Sequence, residues 1–169
     1  MAELIMFLAA LVIPDNVSVK VRSFQKKCFA EGLLLPSFGC AVLCPLAFFT
    51  EKPEIATRII LKNLRFITDK LISVNDDLYL EIPGLNADDF YGFITVNKSR
   101  PDITEKLPFP AYPGIYLGKT TGKITDTGSL SGLAWKKSTF TLLDLDIHDS
   151  GNISTFVCRT VLERSIINS

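Results

Sequence analysis

A chain of 169 residues suits one domain, and 47% hydrophobic residues with 12 phenylalanines supply a core, which excludes a disordered chain. Its 18 Lys and Arg balance its 18 Asp and Glu, so no general field draws it to nucleic acid or to an anionic membrane. A single histidine excludes, on one copy of the chain, any mechanism that needs two.

Leu4 to Ile13 is an unbroken apolar run. It is too short to span a bilayer as a helix. Glu3 is its only early charge, and Pro14, Asp15 and Asn16 follow in place of a small-residue cleavage site, so a buried first strand is expected rather than a signal peptide. Asp15 and Asn16 are N-cap candidates for a helix. Val17, Val21, Phe24 and Cys28 recur at four, three and four, one helical face, and Gly32 is a natural stop. Lys20, Arg22, Lys26 and Lys27 read as the solvated side of that helix. Residues 40–49 read as a second buried strand, although Pro45 cannot donate in a ladder.

Pro53 suits a first helical turn, and Ile60, Leu64, Ile67 and Leu71 repeat the four, three, four spacing, which predicts a second helix ended by Asn75, Asp76 and Asp77. Leu78–Ile82 and Phe90–Val96 read as strands. Pro101, Pro108, Pro110 and Pro113 mark an irregular connection, and Gly114, Gly118, Gly122, Gly128 and Gly132 punctuate short strand-like pieces. Ser138–Ile147 and Ile153–Leu162 read as a hairpin around Asp149, Ser150 and Gly151. The predicted order is β-α-β-α-β-β, an irregular stretch, then β-β. This is an α+β fold with two helices packed on a largely antiparallel sheet. It forms one domain over 1–169, with two lobes near 1–97 and 98–169 as the finer expectation.

Cys28, Cys40, Cys44 and Cys158 lack the paired spacing of a zinc site and sit among apolar neighbours. They read as reduced core residues of a cytoplasmic protein. The sequons at Asn16, Asn97 and Asn152 matter only in a secreted chain. Asp144, Asp146 and His148 alternate on one strand and offer a divalent metal two carboxylates and an imidazole. Leu143, Leu145 and Ile147 alternate with them, so the simpler reading is the wet face of an amphipathic strand. Gly118-Lys119-Thr120 lacks the spacing and the helix of a phosphate loop and reads as a turn. Cys44 with His148 is the one thiol–imidazole pair to name, and nothing brings them together. Asp76, Asp77, Asp88 and Asp89 abut turns, where Asp bonds local backbone. Trp135, Tyr112, Tyr116 and Phe109 read as core before binding wall.

The layout resembles the two-histidine phosphoesterases, the RNA 2′,5′-ligases and cyclic phosphodiesterases. Phe7-Leu-Ala-Ala-Leu-Val-Ile-Pro-Asp15 resembles their opening strand and proline-acid turn. Residues 40–49 occupy the place of their first His-x-Thr strand, and Leu80-Glu-Ile-Pro-Gly-Leu85 resembles the segment after their second helix. Thr139-Phe-Thr-Leu142 sits where the second His-x-Thr falls. Thr139 replaces the histidine there, Thr141 keeps the threonine, and no histidine lies near 40–49.

The resemblance implies a two-lobed fold around a central cleft, with Thr139 and Thr141 facing it as ligand-binding residues. It implies no paired-imidazole catalysis. The reading is therefore a non-catalytic protein that binds a phosphorylated small ligand, RNA or a protein partner, with no cofactor and no membrane. The alternatives are a metal-dependent hydrolase using Asp144, Asp146 and His148, and a homodimeric interaction protein that buries the apolar surplus.

Overall fold

The computed structural model describes residues 4–35, 42–62, 64–86, 88–95, 114–124, 130–150 and 153–168. The apolar opening run forms β1 (Leu4–Val12), followed by α1 (Asp15–Ala30) and the short β2 (Leu34–Leu35). Val17, Val21 and Cys28 are the buried stripe of α1, as their spacing requires, and Gln25 is buried with them. Asp15 and Asn16 lie inside the helix rather than capping it. Pro14 is the N-cap, without a side-chain bond, and its fixed φ carries the chain out of β1. Gly32 takes the left-handed conformation (φ 72°) that stops the helix.

β3 (Leu43–Phe49) contains Pro45 and forms an edge of the first sheet, where a missing donor is tolerated. Its register against β1 shifts between Ala9 and Ala10, next to that proline.

The second predicted helix is not formed. Residues 54–74 instead give β4 (Glu54–Ile55), β5 (Ile59–Leu61), β6 (Phe66–Ile67) and β7 (Leu71–Val74). Ile59, Leu61, Phe66 and Thr68 are buried, whereas Ile60 and Ile67 are 47% and 40% exposed, so burial follows a period of two. The helical spacing of 60, 64, 67 and 71 was coincident with it. Two residues held at positive φ, Asn75 (50°) and Asp76 (69°), make the tight turn from β7 into β8 (Asp77–Glu81). Asp88 and Asp89 open the four-residue α2 (Asp88–Tyr91), with the Asn86 carboxamide accepting from the Asp88 amide at 3.0 Å. Of the described residues of the strand expected at 90–96, Ile94–Thr95 form β9, while Phe90 and Tyr91 belong to α2.

The proline-rich connection lies outside the described residues. β10 (Gly114–Thr120), β11 (Ala134–Trp135), β12 (Thr139–Ser150) and β13 (Ile153–Asn168) follow. The terminal hairpin is the one predicted, with a longer second strand. The first sheet runs β3-β1-β12-β13-β5, and the second runs β2-β10-β8-β7. Pairing is antiparallel except for β13 with β5. β4 with β9 and β6 with β11 form two small ribbons. The fold is thus mixed α+β and mostly sheet, and the first sheet joins strands from both ends of the sequence.

The larger core lies on the odd-numbered face of β1, where Ala9 and Leu11 meet α1, Phe140 and the apolar side of the second sheet. Met6, Leu8, Ala10, Leu43, Leu143 and Leu145 form a smaller cluster on the other face. Cys28 and Cys44 are free and buried, as expected, but Cys158 is disulfide-bonded. The expectation of four reduced cysteines is corrected there, and a cytoplasmic location loses its argument from cysteine. No helix among the described residues is long and apolar enough to cross a membrane.

Candidate functional site

β1 is the spine that aligns the two strands in question. Val12 lies opposite Leu43 of β3 and Thr139 of β12, and Ala10 lies opposite Pro45 and Thr141. Paired residues on neighbouring strands share a face. Two rows therefore cross the sheet: Leu43, Val12, Thr139, then Pro45, Ala10, Thr141. This fixes which residues of β3 and β12 stand level across β1. The rows continue into Leu8 with Leu143 and Met6 with Leu145, so the polar pair stands at one end of an apolar face. Thr141 is fully buried, and its hydroxyl donates to the Leu162 carbonyl at 3.1 Å. That carbonyl sits next to the point where the β12–β13 register slips, between Leu142 and Leu143. Thr139 is only half-buried and keeps accessible surface.

The second sheet reaches this face through Tyr116, which packs on the smaller cluster. Its hydroxyl donates to Asp77 at 2.9 Å, and its ring lies 5.4 Å from that of Tyr79. Asp77 is 5% exposed and Tyr79 is fully buried. Burial pushes the Asp77 carboxyl above its usual range, against the opposing pull of the Tyr116 hydroxyl and Lys119. Burial, with the Asp77 charge beside them, also pushes both phenols up. The group is a buried carboxyl and phenol that share a hydrogen bond. In sequence Asp77 looks like one more turn aspartate. Its burial depends on β10 pairing beside it, and a contact between residues 77 and 116 leaves no local signal.

No family model matches the sequence, and no curated protein matches it either. Solved structures do. The fold is similar to that of LigT. The Escherichia coli protein in its apo form superposes with a TM-score of 0.62 at 14% identity, over 98% of this chain and 99% of that one. The same protein in complex with NADP+ superposes at 0.59 and 15% identity, over 95% and 96%. LigT is a two-histidine phosphoesterase superfamily member. At this identity the likeness to LigT establishes the architecture and leaves the chemistry to the residues.

The remaining candidates separate. Asp144 accepts from Arg159 at 2.8 Å, and both Asp144 and Asp146 are half-buried, so the solvent-facing reading of this strand holds only in part. Among the described residues no three His, Cys, Asp or Glu gather as a metal site. The His148 side chain lies outside the described residues. Its backbone is nine residues along β12 from Thr139, roughly 30 Å away at strand rise. Burial pushes the Cys44 thiol up to about 12, so it is no thiolate at neutral pH. Gly118-Lys119-Thr120 is paired strand, not the expected turn. Trp135 stacks on Phe66, while Tyr112 and Phe109 lie outside the described residues.

Proposed function

We propose that the protein binds a phosphorylated ligand, a nucleotide or the phosphorylated end of an RNA, and does not carry out paired-imidazole phosphoester chemistry on it. The observation that carries this is the pair of rows across β1. In the strands that resemble the two His-x-Thr strands, the level positions hold Leu43 and Pro45 on one side and Thr139 and Thr141 on the other. General acid–base catalysis at a phosphoester needs groups that exchange a proton near neutral pH. Leucine and proline have no proton to exchange, and a threonine hydroxyl titrates far outside that range. The fold suits ligand binding, since the similar LigT was solved with NADP+ bound. Thr139, with accessible surface, is the residue proposed to offer a hydroxyl to the anion. Thr141, committed to Leu162, holds the strand that presents it.

The test is a melting-temperature screen with AMP, NADP+, 2′,3′-cyclic AMP and a short 5′-phosphorylated RNA, run beside an assay for hydrolysis of the cyclic phosphate. Binding by N alone raises the melting temperature. The expected result is a rise with at least one ligand and no hydrolysis above buffer. A melting temperature unmoved by all four removes the binding reading, and hydrolysis that Thr139→Val abolishes removes the non-catalytic one.

A further inference from the structure

The first sheet ends on one side at β3, where Pro45 interrupts the row of donors, and on the other at β5. Among the described residues β5 pairs with β13 and with no other strand, and no further group bonds the backbone of residues 58–62. Its outer edge therefore carries amide and carbonyl groups without a protein partner, and such an edge is a template for one more strand.

Burial alternates along this segment. Ile59 and Leu61 enter the larger core, while Arg58, Ile60 and Lys62 are exposed. Ile60 stands beside Ile167 of β13, and the two are 47% and 45% exposed. They make an apolar row that runs to the rim of the sheet and stops there. Arg58 and Lys62 flank the end of that row, and among the described residues neither has an ion-pair partner. These charges decide what can pair. A second copy meeting the edge in register sets Arg58 against Lys62 when antiparallel, and each cation against its own kind when parallel. Like charges directly opposite destabilise a strand pair, and opposite charges stabilise it. The edge thus rejects its own copy and accepts a strand with acids at those positions.

We infer that β5 is a docking edge for an extended acidic segment of another protein, of pattern acid-x-apolar-x-acid, whose central side chain lengthens the Ile167–Ile60 row. Main-chain hydrogen bonds supply the attachment, and the alternate side chains select the partner. A phosphate-bearing ligand answers the two cations but leaves the isoleucine row and the amide edge uncovered. In this chain the pattern occurs once, at Asp77–Glu81 around Tyr79, and that segment is β8, held between β10 and β7. The occupant is therefore a different protein. A contact of one short strand is small, which suits a transient partner. The inference goes beyond the ligand reading at Thr139, and neither depends on the other.

The experiment is fluorescence anisotropy of the full chain with three labelled peptides. The first is acidic, Thr-Glu-Thr-Ile-Thr-Glu-Thr. The second carries lysine in place of both glutamates. The third keeps the glutamates and has proline at the three central positions, which removes the amide donors and keeps the charge. Each is titrated into the wild type, Ile60→Thr and Arg58→Glu/Lys62→Glu. The substituted side chains are exposed, and matched melting curves confirm that the variants fold. The wild type is expected to bind the acidic peptide at least tenfold more tightly than either of the others. Ile60→Thr weakens that binding at least threefold. The double variant reverses the preference and binds the lysine peptide at least tenfold more tightly than the acidic one. A proline peptide that binds the wild type within twofold of the acidic one shows charge attraction without strand pairing and overturns the inference. A preference that the double variant leaves unreversed places the binding elsewhere and overturns it too, as does no binding of the acidic peptide by the wild type. A wild type that sediments as a dimer, with amide exchange at residues 59–61 slowed by dimerisation, makes a second copy the occupant and overturns the acidic one.

Discussion

Asp77 is the residue whose environment conflicts most with its chemistry. It is nearly fully buried, accepts one bond from Tyr116, and has its carboxyl pushed upward because the lost hydration outweighs that bond and the nearby Lys119. A carboxyl whose folded pKa is raised binds more protons in the native state than in the unfolded one. Its favourable contribution is full below the unfolded value near 4 and is lost as pH rises through the folded value. Asp77→Asn keeps an oxygen for the Tyr116 hydroxyl and removes the titration. The variant is therefore expected to be more stable than wild type at pH 7, with the difference closing below about pH 4. Urea unfolding at both pH values decides it. A variant that is less stable at pH 7 shows that the hydrogen bond outweighs the desolvation.

At the scale of elements, the short ribbon of β6 and β11 is the instructive case. Two-residue strands have almost no intrinsic stability. This pair persists because Phe66 and Trp135 are buried in the larger core and because Thr68 binds the loop beside it. Thr68→Val keeps the shape and removes the hydroxyl, which takes the partner from the part-buried Leu133 amide. The expected cost is about 1–3 kcal/mol, read by chemical denaturation. Amide exchange should quicken at residues 130–135 while β1 and β12 stay protected. An unchanged stability shows that another group takes over the amide. The same region shows where sequence reasoning fails. Residues 60, 64, 67 and 71 carry helical spacing, but the chain buries 59, 61, 66 and 68 instead, and local pattern cannot choose between the two. β1 was legible as an unbroken apolar run, α1 by its four, three, four stripe, and the β12–β13 hairpin by two strand-like runs around a turn. Gln25, buried in α1, was not. Its carboxamide donates to the Leu117 carbonyl at 2.8 Å across 92 residues of sequence, a partner no local pattern announces.

For the molecule as a whole, the first sheet is the integrating structure, because β12 and β13 from the end of the chain complete a sheet begun by β1. Thr139 and Thr141 could be picked from the sequence by their place in order, but their level with Leu43 and Pro45 came only from strand pairing. The ribbon of β6 and β11 was illegible for the same reason: its two strands lie some 70 residues apart, and one of them falls in a stretch the sequence read as helix. Cys158 belongs to this scale too. It packs on the smaller cluster and is covalently tied, whereas Cys28 and Cys44 are free. A cross-link restricts the unfolded chain and typically contributes about 2–5 kcal/mol, roughly 5–15 °C of melting temperature at this size. Alkylation of the denatured, unreduced protein should label Cys28 and Cys44 and spare Cys158, and prior reduction should expose Cys158 and lower the melting temperature by that amount. Protein isolated from a reducing and from an oxidising compartment should then differ in melting temperature, because only the second forms the bond. Equal labelling of Cys158 in unreduced protein from both sources would sink the cross-link and restore the cysteine argument for a reducing compartment.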